Sequence, residues 1–68
     1  MIVYAIKRDD GFYLEEIYKE YNSHWTEDLF RAYLFSDGVD AYEISEQLRV
    51  FHNVNCKPVE VKIEKVEE

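Results

Sequence analysis

The chain has 68 residues, of which 47% are hydrophobic, 16% aromatic and 34% charged, and its formal net charge is −7. This length allows one domain at most, residues 1–68, and the apolar and aromatic content is typical of a chain that folds. With eight Lys and Arg against fifteen Asp and Glu, direct binding to nucleic acid or to an anionic membrane surface is disfavoured, because both depend on basic side chains.

The cysteine content and the first residues bear on the cellular compartment. Cys56 is the single cysteine, so an intramolecular disulfide is impossible, whereas small secreted domains usually depend on several. The apolar stretch at 1–7 has no basic region before it, and it is too short for a signal peptide or a membrane span. We therefore expect a cytoplasmic protein.

The first part of the chain predicts a β-hairpin. Residues 2–7 and 12–17 are rich in β-branched and aromatic residues, as strands are. Between them, Asp10-Gly11 supplies the positive φ that a tight turn needs. Polar residues with interleaved tyrosines fill 18–24, which we interpret as a loop or a frayed extension of the second strand.

Two short elements are predicted next. Residues 25–31 are typical of a helical turn with Thr26 as its cap and acidic residues behind it. Trp25, beside that cap, is expected to be largely buried as an anchor of the core. The apolar run 32–35 is then predicted to be the third strand.

Residues 38–52 have the period of an amphipathic helix. Four apolar residues share one stripe and are predicted to be buried against the sheet: Ala41, Ile44, Leu48 and Phe51. Glu43 and Glu46 should face solvent, and Glu46 should form an i,i+3 ion pair with Arg49. Asn53 and Asn55 are plausible stop residues.

A last strand is predicted to open at Pro58, where valine and isoleucine alternate with charged residues up to 64. The expected fold is α+β: a small, mainly antiparallel sheet of three to four strands with one amphipathic helix on one face. The element order is β-β-(turn)-β-α-β. Because the third and fourth strands are joined through the helix, they could lie parallel.

Several of these features together resemble small proteins without an assigned role that are encoded by phages and prophages of Gram-positive bacteria. The residues that carry the resemblance are Tyr4-x-Ile6-Lys7, Asp10-Gly11-x-Tyr13-Leu14, Trp25-Thr26-x-Asp28, Ala32-x-x-Phe35 and Ala41. The resemblance implies a phage accessory origin, a ββ(β)αβ fold and no catalytic residues. The segment 18–24 departs from that group, whose connection there is shorter.

His52 and Cys56 are the residues with the best spacing for metal or nucleophile chemistry, with His24 or Glu60 as a third ligand. A structural zinc site needs four ligands, usually as two close pairs. A Cys–His nucleophile also needs an oxyanion site and a pocket. We therefore expect Cys56 to be a small buried apolar residue, and we expect no catalytic residue, metal or cofactor.

One helix can cover only one face of the sheet, which predicts that the other face is bare. Tyrosines and a histidine on or beside that face form a possible partner-binding surface: Tyr13, Tyr18, Tyr21 and His24. Tyrosine is a frequent anchor at protein interfaces. The alternative interpretation is that these tyrosines only shield the face from water.

The function expected from these observations is that of a small phage-derived accessory protein that binds a host or phage protein and is not an enzyme. One alternative is an acidic DNA mimic that inhibits a host nucleic-acid enzyme, although basic residues interrupt the acids along the chain. The other is a self-associating structural module, so that either a monomer or a homodimer is compatible with the sequence. If phage-encoded, the protein would act in the host cytoplasm.

Overall fold

The computed structural model describes residues 1–17 and 23–64. These residues form one α-helix and a four-stranded sheet, an α+β fold as predicted. The elements are β1 (Ile2–Arg8), β2 (Tyr13–Ile17), β3 (Ser23–Thr26), a 3₁₀ turn (Leu29–Arg31), α1 (Gly38–His52) and β4 (Cys56–Lys62). The strand order is β3-β2-β1-β4, and every neighbouring pair is antiparallel.

The predicted hairpin between β1 and β2 is confirmed. Gly11 has φ +96°, and its amide donates to the Arg8 carbonyl at 3.0 Å, while the Arg8 amide donates to the Phe12 carbonyl at 2.6 Å. The Arg8 guanidinium donates two hydrogen bonds to the Asp10 carboxylate, at 2.8 and 2.7 Å. These bonds lower the pKa of Asp10, and they hold both side chains over the turn.

The third strand is not where the sequence predicted it. Residues 23–26 form β3 and pair with β2, with Tyr13 opposite Thr26 and Leu14 opposite Trp25. The sequence instead predicted a loop over 18–24 and the third strand at 32–35. Trp25 is half-buried against the core, so its predicted burial is confirmed only in part. Residues 18–22 of that loop lie outside the described residues. Residues 23–26 form a strand because they pair with β2, and no local pattern in the sequence indicates this pairing.

The segment 32–35 lies between two strands instead of forming one. β1 and β2 are in register only at Lys7 and Tyr13. In the opening beyond, Tyr4 and Phe35 exchange both backbone hydrogen bonds, at 2.8 and 2.7 Å, and the Tyr33 amide donates to the Leu14 carbonyl at 2.8 Å. The segment therefore supplies hydrogen-bond partners to the backbone of both strands. It forms a single isolated bridge, Tyr4 with Phe35, and the chain then continues into the helix.

The predicted helical turn forms, but its cap lies two residues further on. Asp28 is the N-cap of the 3₁₀ turn, and its carboxylate accepts a hydrogen bond from the Phe30 amide at 2.9 Å. Thr26, the predicted cap, ends β3 and accepts from the Asp28 amide at 3.1 Å. Arg31 lies 3.4 Å from the carboxylate of Glu15 on β2, which ties the turn to the sheet.

β4 starts two residues before Pro58 and pairs with β1 over its whole length, from Arg8 opposite Cys56 to Ile2 opposite Lys62. It is therefore antiparallel to β1, and β3 lies at the far edge of the sheet, so the third and fourth strands do not form the parallel pair that their connection through the helix would allow. Residues 1 and 63 exchange backbone bonds. Since residue 63 bonds to residue 1, the odd-numbered residues of β4 direct their N–H and C=O groups toward β1, and the even-numbered ones direct theirs to the outer edge of the sheet. Pro58 is even-numbered, so its missing N–H leaves no bond to β1 unmade.

The helix has the predicted bounds. Asp37 caps it by accepting from the Val39 amide at 2.8 Å, and Asn53 ends it in the left-handed conformation with φ 54°. The predicted ion pair between Glu46 and Arg49 is present. Of the two predicted solvent-facing acids, Glu43 is exposed and Glu46 is half-buried.

The buried stripe of the helix differs from the predicted one at its end. Ala41 and Leu48 are buried and Ile44 is half-buried, but Phe51 is 72% exposed and Ser45 is 1% exposed. At 3.6 residues per turn, Ser45 lies about 40° around the helix from Ala41 and Phe51 about 80° on the other side. The hydroxyl of Ser45 donates to the Tyr42 carbonyl at 2.8 Å, so a polar residue can occupy a buried position on the helix.

The two faces of the sheet are buried to different extents. On the helix face, the core consists of Ile6, Leu14, Ala41, Leu48 and Cys56. Strand alternation places Ala5 and Val3 on the opposite side, which we call the second face, yet they are 0% and 6% exposed. The second face is therefore not bare along β1, contrary to the prediction.

Candidate binding surfaces

The predicted tyrosine surface can be located only in part. Tyr13 lies on the second face, half-buried, with the Lys7 ammonium 5.8 Å from its ring centroid. His24 is exposed on β3, two residues along from Thr26, the cross-strand partner of Tyr13. Tyr18 and Tyr21 lie outside the described residues. The structure thus places Tyr13 and His24 on neighbouring strands.

A concave surface of about 400 Å³ lies on the second face, and we call it the second-face concavity. Its apolar part is formed by Tyr13, Leu29, Val59 and Val61, and its charged part by Lys7, Glu60 and Lys62. Leu29 reaches it from the 3₁₀ turn. Sequence reasoning missed Leu29, Val59 and Val61, although the alternation of β4 indicated that its two valines share a face.

Two phenylalanines are exposed to water. Phe30, which follows Leu29 in the 3₁₀ turn, is 99% exposed, and Phe51, near the end of α1, is 72% exposed. An exposed apolar side chain by itself is ordinary. Phe30 differs because it stands on a turn held by a capping carboxylate and an ion pair, directly beside a residue of the second-face concavity.

A second concave surface, of about 530 Å³, lies where β1, β4 and the end of α1 meet. Its lining contains four basic residues and one acidic one, and we call it the cationic concavity: Lys7, Arg8, Asp9, Arg49, Asn55, Cys56 and Lys57. In the sequence these basic residues are mostly single and far apart. Only the pairing of β1 with β4 brings them together, so no sequence signal beyond Lys7-Arg8 pointed to this surface.

Cys56 lies at the boundary between this concavity and the core, and it is 7% exposed. Its Sγ is 3.7 Å from the Ser45 carbonyl oxygen, to which the thiol donates. Burial raises the pKa of Cys56, and the nearby Arg49 offsets this only in part. The thiol is thus held in its protonated, unreactive form, as expected of a buried apolar residue.

The other residues of the candidate metal and nucleophile site are placed as follows. His52 is the last residue of α1 and Glu60 lies in β4. Within 1–17 and 23–64, no three His, Cys, Asp or Glu side chains are grouped so that they could hold a metal ion. Over the same residues, no helix is both long and apolar enough to span a bilayer.

Comparison with known proteins finds no match to a family model, to a curated protein or to a solved structure.

Proposed function

We propose that this chain is a small binding module that recognises another protein and catalyses no reaction. The phage accessory origin is part of the same proposal, and it rests on the resemblance of residues such as Asp10-Gly11 and Trp25-Thr26. The partner would be a host or phage protein. The observation that carries the proposal is the full exposure of Phe30 beside the second-face concavity.

The chemistry of this surface supports a protein partner. Tyr13, Leu29 and the two valines offer a concave apolar floor, and Phe30, the residue after Leu29, offers a fully exposed ring. Buried aromatic anchors supply much of the binding energy at protein interfaces, and charged residues are usually found at the rim. Lys7 lies on the same face as Tyr13, and Glu60 and Lys62 alternate with the two valines along the edge strand β4. We infer a partner with an apolar anchor side chain and polar groups of both signs around it.

The state of Cys56 supports a role without catalysis. A nucleophilic cysteine needs a lowered pKa, whereas burial raises the pKa of this thiol and its hydrogen bond goes to a backbone carbonyl. DNA mimicry is less well supported, because it needs an uninterrupted acidic surface. Four basic residues at one end of the domain interrupt any acidic surface there: Lys7, Arg8, Arg49 and Lys57.

The two exposed phenylalanines provide a matched test. The chain is immobilised and used to capture proteins from a bacterial lysate, and the captured proteins are quantified for the wild type, Phe30→Ser and Phe51→Ser. Both substitutions remove the same exposed ring, so neither should unfold the domain. We expect Phe30→Ser to abolish capture of a specific protein and Phe51→Ser to retain it. The opposite result would assign the function to the outer face of α1.

The outer edge of β4 favours a second candidate, self-association. β4 is an edge strand of the described sheet. Its even-numbered residues direct their N–H and C=O groups to the outer edge, because residue 63 bonds to residue 1 on the inner side. If two copies pair antiparallel about Val61, Glu60 of each copy lies opposite Lys62 of the other. Two opposite-charge pairs then form across the symmetry axis. Pairing centred on Glu60 or on Lys62 would place like charges opposite each other.

This register predicts a charge-swap result that a monomer would not give. Sedimentation equilibrium is measured for the wild type, Glu60→Lys, Lys62→Glu and the double variant. Each single change puts two like-charge pairs into the dimer and should weaken it roughly tenfold, since cross-strand pairs contribute up to about 1 kcal/mol each. The double variant should regain wild-type dimerisation. A wild type that is monomeric at millimolar concentration would remove this candidate.

A further inference from the structure

The cationic concavity has a charge opposite to that of the whole protein. Four of its residues are basic (Lys7, Arg8, Arg49 and Lys57) and Asp9 is acidic. With Asp10 and Glu46, the carboxylates paired to its two arginines, the local balance is 4 − 3 = +1, whereas the chain as a whole has a net charge of −7. The four represent half of the eight basic residues in the sequence. Because salt screens charges beyond about 10 Å at 0.1 M, a small ion in this concavity senses mainly the local positive charge.

Two of the basic residues face each other. Lys7 on β1 and Lys57 on β4 are direct cross-strand partners, an arrangement of like charges that destabilises a sheet. Among the described residues neither lysine forms a salt bridge with a carboxylate, and the Lys7 ammonium lies 5.8 Å from the centroid of the Tyr13 ring. A basic residue near the end of α1 such as Arg49 is explained by the helix dipole. That explanation does not extend to the two lysines.

The two arginines are held in place by acidic neighbours outside the concavity. Arg8 is bound to Asp10 through Nε and Nη2, and Arg49 is paired with Glu46. A guanidinium has five N–H donors, and Arg8 uses two of them on Asp10. Both arginines therefore keep donors for another anion while their positions are already fixed, which lowers the entropy cost of binding. The amide of Asn55 adds a further donor to the lining.

From this arrangement we infer that the cationic concavity binds a phosphoryl group of a small molecule. A phosphate dianion suits a surface lined by several basic residues, because it has more charge and more acceptor oxygens than a single carboxylate. The volume of about 530 Å³ lies in the usual range for small-ligand sites. Lys7 lines both concavities, but Phe30 and Leu29, which carry the proposed function, take no part in this inference.

The experiment is an NMR titration of the ¹⁵N-labelled protein with inorganic phosphate and, in parallel, with pyrophosphate, acetate and sodium chloride at matched ionic strength. We expect saturable shifts of the amides around Asn55 and Lys57 with both phosphates, tighter for pyrophosphate. Acetate and chloride should give no saturation. Equal effects of phosphate, acetate and chloride, or the absence of saturation, would overturn the inference.

Three lysine and arginine variants locate the site. Lys57→Gln and Arg49→Gln each remove one charge from the lining and should raise the phosphate Kd roughly five- to tenfold, the usual worth of one charge-assisted contact. Lys62→Gln removes the same charge from the same strand outside this concavity, and it should leave the Kd unchanged. An unchanged Kd in the first two variants, or an equal increase of the Kd in all three, would overturn the assignment. Phe30→Ser should bind phosphate normally, which separates this test from that of the proposed function.

Discussion

The ring of Tyr4 on β1 lies directly against the backbone of Gly38, the first residue of α1. A Cβ placed on Gly38 would be 3.0 Å from Cζ of Tyr4 and 3.3 Å from each Cε. The glycine thus allows the helix to start at the distance from the sheet that the tyrosine ring defines. Glycine is required here by packing and not by backbone conformation, because the φ of Gly38 is not in the left-handed region.

This contact predicts that Gly38→Ala destabilises the fold, although alanine is the better helix former. The ring has to shift by a few tenths of an ångström, and overpacking of this kind costs about 1 kcal/mol or more. Urea unfolding measures the loss. In a Tyr4→Leu background, where the ring atoms are gone, the same change should be neutral or stabilising. A stabilising effect of Gly38→Ala in the wild type would show that the contact is not tight.

Gly11 is predicted to be required for a different reason. Its φ is +96°, and no atom lies within 4 Å of a Cβ placed there. Gly11→Ala should therefore cost about 1–2 kcal/mol from backbone strain alone. Gly11→Asn should cost less, since asparagine tolerates positive φ better. Equal stability of all three proteins would contradict the turn conformation.

Leu48 and Phe51 should respond very differently to truncation. Leu48 is 4% exposed and Phe51 is 72% exposed, although both belong to the stripe that the sequence predicts. Leu48→Ala should cost roughly 2–5 kcal/mol, as in other cores, whereas Phe51→Ala should change stability by less than about 0.5 kcal/mol. Thermal and urea unfolding of the pair test this directly. A large loss in Phe51→Ala would indicate that this side chain is covered, for example by a second copy.

The buried thiol of Cys56 should make the fold less stable in alkaline solution. Burial raises the pKa of the native thiol above its ordinary value of 9.0, so between the two values the native state keeps a proton that the unfolded chain has lost. By linkage, the free energy of unfolding falls as the pH rises above about 9. The stability difference between the wild type and Cys56→Ala should therefore shrink between about pH 7 and pH 10.

A thiol reagent provides an independent check on Cys56. At neutral pH the native thiol should react far more slowly than that of the urea-unfolded chain, because it is buried and protonated. Rapid reaction in the absence of urea, at the rate of a free thiol, would mean that the contact with the Ser45 carbonyl is not maintained.

Much of the fold was predictable wherever a local pattern is sufficient. Asp10-Gly11 specifies the hairpin turn because few other dipeptides adopt positive φ readily. The helix is specified from Gly38 to His52 by its apolar period and by Asp37 and Asn53 at its ends, where side-chain and backbone geometry act within a few residues. The balance of charge and the single cysteine are likewise properties of the sequence alone.

Other features depend on contacts between distant residues, and only the tertiary structure decided them. Residues 23–26 become a strand because β2 pairs with them, and 32–35 does not because β1 and β2 leave room for a single bridge at Tyr4 and Phe35. Phe51 has the right spacing for burial, but the part of the helix that the sheet covers is rotated toward Ser45 and leaves Phe51 exposed. The cationic concavity exists because β4 pairs with β1 and brings Lys57 opposite Lys7, which are fifty residues apart in the chain. Strand pairing acts over such separations through backbone hydrogen bonds that carry no residue-specific signal, so it leaves no local trace in the sequence.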